Sequence, residues 1–117
     1  MIFGKTQPDV PHLLPVARGI LATITVPVKE YAEDPAALWR ECYQGEPFIE
    51  IADQPPSLKD VVRRNVVRLS VAKAANTRQP TLIIISAIDN LVKGAAGQAL
   101  QNANVLLGLN EQAGLPA

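Results

Sequence analysis

At 117 residues the chain has the length of one domain and is too short for a dinucleotide-binding domain plus a substrate domain. Eleven Lys plus Arg balance eleven Asp plus Glu, so no basic footprint for nucleic acid or an anionic membrane surface is present. A hydrophobic content of 48% falls on the globular side of the disorder boundary, and the single Cys42 excludes an internal disulfide.

Residues 1–11 carry Gly4, Pro8 and Pro11 among polar residues, which reads as an irregular lead-in. They lack the basic start and apolar run of a secretion signal, and the expected location is the cytoplasm. Between 20 and 28 the pattern ILATITVPV sets Ile20, Ala22, Ile24, Val26 and Val28 against Leu21, Thr23 and Thr25. That alternation is the signature of a half-buried strand, and Pro27 points to an edge position or to the strand's end.

Asp34 followed by Pro35 fits the start of a short amphipathic helix, in which Leu38, Trp39, Cys42 and Tyr43 recur at helical spacing up to Gly45. Trp39 and Tyr43 are expected as core or interface anchors, and Cys42 as a small core or semi-buried residue. A second strand is expected over 47–52, ended by the turn-rich DQPPS of 53–57, and a third over 61–71. After a polar loop at 76–80, TLIIISAI (81–88) is an almost continuous β-branched run, typical of a central strand covered on both faces. It is far shorter than the ~20 residues of a membrane-spanning helix.

Asp89 and Asn90 can cap a long C-terminal helix in which Val92, Ala96, Ala99, Ala103, Leu106 and Leu107 form an apolar stripe. The opposite face carries Gly94, Gly97, Gln98, Gln101, Asn104 and Gly108. Interior glycines lower helix stability by about 1 kcal/mol each relative to Ala, so this second face is expected to meet a closely approaching partner. The elements add up to an α+β fold: a mixed or antiparallel sheet of about four strands, one short helix and a long C-terminal helix.

Two segments, PHLLPVARGILATITV (11–26) and AIDNLVKGAAGQALQNANVLLGLNEQAGL (87–115), resemble the N-acetyl-gamma-glutamyl-phosphate reductases of arginine biosynthesis. The resemblance implies that residues 12–117 are part of a substrate and dimerisation domain like the C-terminal domain of glyceraldehyde-3-phosphate and aspartate-semialdehyde dehydrogenases, without the Rossmann domain that holds NADP. Its implied function is that of the parent oxidoreductase, NADP-dependent reduction of N-acetyl-glutamyl phosphate to the semialdehyde, with this chain inactive alone and not expected to bind NADP by itself. The competing reading is a non-catalytic interaction or oligomerisation module that kept the fold.

The family's nucleophilic cysteine sits in a Gly-Cys-Tyr-Pro-Thr-like turn, whereas Cys42 lies in ECYQGEP. The catalytic histidine and a glycine-rich phosphate loop are likewise missing from these residues, so no catalytic residue and no metal site is assigned. Arg63 and Arg64 depart from the family's Gly-Ser or Gly-Thr before Asn65.

The resemblance also suggests sites. His12 and Arg18 would hold substrate carboxylate or phosphate, Arg through its bidentate fork; the plainer alternative is that His12 caps a loop and Arg18 pairs with a nearby Asp or Glu. Asn90, Lys93, Gly94, Gly97 and Gln98, with Gln101 beside them, would form a cofactor edge at the helix start; the alternative is an ordinary capped helix. The expected partners are a second copy of the chain and a complementing N-terminal Rossmann and catalytic part.

Overall fold

The computed structural model describes residues 12–117, so the expected lead-in at 1–11 lies outside the described residues. Four strands, β1 (Ile20–Pro27), β2 (Ile49–Ile51), β3 (Val67–Lys73) and β4 (Thr81–Ile88), form one mixed sheet in the order β1-β4-β3-β2. β4 is antiparallel to both β1 and β3, and β2 runs parallel to β3. With helices α1 (Ala37–Cys42) and α2 (Gly97–Leu106), this is the α+β architecture expected from the sequence.

The expected face of β1 is formed, but among the described residues it is not half-buried: only Ala22 and Val26 of the strand are partly covered. Ile20, Ala22, Ile24 and Val26 stand opposite Ile88, Ser86, Ile84 and Leu82 of β4, which share a face with Val67, Leu69 and Val71 of β3. β1 is outermost, and Val28 donates its N–H to the Pro80 carbonyl oxygen at 2.8 Å. By the period of two, Leu21, Thr23, Thr25 and Pro27 direct their backbone groups away from β4, so the missing N–H of Pro27 leaves no sheet hydrogen bond unmade.

β4 departs from expectation. It is central, yet only Leu82 and Ala87 along it are buried, and neither helix lies broadly on the sheet. The neighbouring β1 leaves Ile20, Leu21 and Ile24 exposed at 50%, 46% and 46%. Within these residues the sheet is therefore not covered on both faces.

The core gathers at one end of the sheet, where Phe48, Val61, Val66 and Ala87 are fully enclosed and Leu115 packs on them. Val61 and Val66 explain why the third strand starts later than 61. Residues Leu58–Asp60 form a single 3-10 turn closed by a Ser57–Asp60 capping box, and the chain then bends before β3. Two apolar residues at a bend satisfy the same hydrophobic pattern as a strand.

α1 begins at Ala37, because Asp34 Oδ1 takes the N–H of Ala36 at 2.9 Å and so caps the turn before the helix proper. Leu38 and Cys42 are exposed and Trp39 half-buried, so Cys42 is not the core or semi-buried residue expected. The segment after β1 is tied down by Tyr31, whose hydroxyl donates to Ala74 O and accepts from Thr81 N where the β3–β4 hairpin closes.

The largest difference lies in α2. The helix opens with a π-helical turn over Val92–Ala96 before becoming α-helical. Its glycine and amide face is the one turned inward: Gly97 and Asn104 are buried, while Leu106 and Leu107 of the apolar stripe are 84% and 73% exposed. The sequence expectation had the two faces reversed.

Candidate functional site

The two sequence segments that stand out meet at one corner, where the start of β1 lies beside the end of β4. The register that pairs Ile20 with Ile88 continues one step further through side chains: Gly19 donates its N–H to Asn90 Oδ1 at 2.7 Å, and Arg18 Nε lies 2.7 Å from Asp89 Oδ2. Gly19 has φ +112, a conformation that favours glycine, and a Cβ there would also push on the Leu58 side chain, 2.7 Å from Cδ2.

Asp89 has no solvent exposure. Its Oδ1 accepts from the N–H groups of Leu91 (2.8 Å) and Val92 (3.0 Å), and its Oδ2 from the Arg63 N–H at 2.5 Å. Burial alone would raise its pKa, but the Arg18 guanidinium and the N–H groups of Arg63, Val92 and Leu91 outweigh it and bring the value from 3.8 to about 2. The ionised form is held at a helix start, where the dipole also favours it. Arg63 reaches this carboxylate with φ +66, so an arginine occupies the left-handed conformation in the turn before Asn65.

Below this corner a polar seam joins α2 to the core. Gln101 Oε1 accepts from Lys93 Nζ (2.7 Å) and Asn65 Nδ2 (3.1 Å), and Gln101 Nε2 donates to Glu111 Oε1 at 2.7 Å. Lys93 Nζ sits 5.4 Å from the centroid of the Phe48 ring, and burial lowers its pKa while Glu111 opposes the shift. Asn104 Nδ2 donates to the carbonyl oxygens of Glu111 and Ala113, holding the turn after the helix.

The candidate residues therefore divide. Arg18, Asn90 and Gly94 share the corner, with Gly94 exposed and placed so that a Cβ on it would lie 3.9 Å from Asn90 Cβ. Lys93, Gly97 and Gln101 turn inward to the seam, and Gln98 bonds to Asn102 on the surface. His12 is exposed. Asp89, expected as a cap, holds the corner together, and Asn65, expected only as a motif remnant, ties the seam to α2 through Gln101. Their types next to Asn90 and Arg64 gave no sign of full burial.

Against known proteins, residues 8–90 match the family described as semialdehyde dehydrogenase, dimerisation domain. The chain belongs to that family. Curated relatives named N-acetyl-gamma-glutamyl-phosphate reductase include that of Leptospira borgpetersenii, 46% identical over 96% of this chain and 34% of that protein. That of Dehalococcoides mccartyi is 44% identical over 92% of this chain and 31% of that protein, and that of Symbiobacterium thermophilum 46% identical over 90% and 31%. The chain thus spans about a third of the length of the curated relatives it matches. Of its described residues, β1 to β4 and the Arg18–Asp89 corner fall inside the family match, and α2 lies beyond it.

Proposed function

We propose that this chain is the dimerisation domain of an NADP-dependent reductase acting on N-acetyl-glutamyl phosphate in arginine biosynthesis, and that it pairs with a second copy through the uncovered sheet. The observation that carries this reading is the half exposure of Ile20 and Ile24, which share one face of a sheet with no helix lying broadly on it. Uncovered apolar surface of this kind marks an interface. Identities of 44–46% with reductases over nearly the whole chain supply the reaction class.

In this reading the chain's own residues bind and orient. Arg18 offers a cationic fork to a carboxylate or phosphate of the substrate, with the exposed His12 in the segment leading up to it. Asn90, with Oδ1 committed to Gly19, retains its Nδ2 donor for the cofactor edge, beside Gly94 and Gln98. Lys93 and Gly97 set the seat of the helix from inside. When bound in the complete enzyme, NADP would supply the hydride chemistry. Exposed Cys42, at the end of α1, has no part in it.

The test combines light scattering of the chain at micromolar concentration with NADPH oxidation on N-acetyl-glutamyl phosphate, measured alone and after adding the remaining two thirds of a relative. Dimer formation, no turnover alone and turnover on addition are expected. A monomer, or turnover by the chain alone that Cys42→Ser abolishes, would sink the proposal. Association without any complementation would favour an interaction module, for which the exposed Leu106 and Leu107 of α2 provide a second surface.

A further inference from the structure

The Arg18–Asp89 pair has a geometry that a purely structural ion pair does not require. The Asp89 carboxylate already accepts three backbone N–H groups and is wholly enclosed. Arg18 approaches it through its enclosed Nε, 2.7 Å from Oδ2, so the ion pair uses the inner edge of the guanidinium. Its side chain remains 28% exposed. Nε is enclosed and without a hydrogen bond, while Nη1 and Nη2 engage no group among the described residues. The adjoining backbone is fixed as well, by the Gly19 N–H on Asn90.

We propose that Asp89 is a positioning residue that fixes the Arg18 guanidinium side-on and presents Nη1 and Nη2 as a fork to a carboxylate or phosphate group. A planar fork suits two oxygens of either anion, and a donor held in place before binding loses less rotamer freedom when the ligand arrives. The inference rests on the reading of Arg18 as substrate-facing and adds the residue that aims it.

Nitrogen-15 NMR of the Arg18 Nε–Hε group in the wild-type chain provides the first test, with inorganic phosphate and N-acetylglutamate as separate probes. Slow Hε exchange and a single guanidinium orientation are expected before any ligand is added; rapid exchange and free rotation would overturn the proposal without the need for a variant. Both probes should shift the Arg18 signals saturably, and the stronger response identifies which anion the fork prefers. Asp89→Asn, which keeps an oxygen for the Leu91 and Val92 N–H groups, should weaken binding at least tenfold while the Gly19 amide signal stays in place. An Asp89→Asn chain that folds and binds as wild type removes Asp89 from the role and leaves the reading of Arg18 standing. No saturable shift with either probe, or equal affinity in Arg18→Lys, defeats the reading of Arg18 itself and this proposal with it.

Discussion

Gly97 and Asn65 are in such close contact that a Cβ on Gly97 would lie 2.2 Å from Asn65 Oδ1 and 2.7 Å from the Val92 carbonyl oxygen. Asn65 is fully buried and anchored through Gln101, so it has nowhere to retreat. Helix propensity alone favours Ala at Gly97 by about 1 kcal/mol, but overpacking of an enclosed site typically destabilises by about 1–3 kcal/mol. Gly97→Ala should therefore lower the urea midpoint. An unchanged or raised midpoint would place the helix farther from Asn65 than described.

Arg63 presents the converse case. A left-handed conformation disfavours a residue with a Cβ by about 1–2 kcal/mol, and φ here is +66. Glycine in the unfolded chain offsets part of that gain, so Arg63→Gly should stabilise the fold by about 0.5–1 kcal/mol. The readout is the thermal midpoint, and a destabilised variant would mean that the Arg63 side chain contributes more than its backbone conformation takes away.

Acid should act through Asp89. Its pKa is depressed from 3.8 to about 2 in the fold, so its contribution is fully present above the unfolded value and disappears as pH falls from about 4 towards 2. Asp60, lowered by the Ser57 backbone hydrogen bond, acts in the same direction. Urea midpoints between pH 5 and pH 2 should fall steeply for the wild type and less steeply for Asp89→Asn. Equal slopes would mean that Asp89 is not the carboxylate being titrated.

Association should depend on β1. Ile24→Lys places a charge on a strand position already 46% exposed, so it should leave the far-ultraviolet circular dichroism unchanged and raise the dimer dissociation constant at least tenfold. Sedimentation equilibrium would detect it. An unaltered dimer would move the interface away from this face of the sheet.

Cys42 is exposed. A thiol reagent should label it completely in the native state, at a rate close to that of a free thiol. Slow labelling that speeds up only in denaturant would contradict the position of α1.

The strands were legible because alternation in β1 and the β-branched run in β4 are short-range signals that the sheet honours. α2 was legible in position but not in orientation. Its apolar stripe and its amide face both have the period of a helix, and the period cannot say which face turns inward. Asn65 resolves it by bonding to Gln101, Gln101 by bonding to Glu111, and Asn104 by bonding to the carbonyl oxygens beyond α2, a choice that depends on residues far apart in sequence. The same limit hid the corner at Asp89, whose partners Arg18 and Arg63 come from two other parts of the chain.

The sheet order also dictates a folding sequence. β3 and β4 are joined by the short loop 74–80 and pair as a hairpin, whereas Ile20 must find Ile88 across most of the chain. Closing a long loop is entropically costlier than closing a short one. On this ground the β3–β4 hairpin is expected to form before β1 docks, with the Gly19 and Arg18 contacts following β1. Mutations in β1 should then speed unfolding and leave the folding rate nearly unchanged.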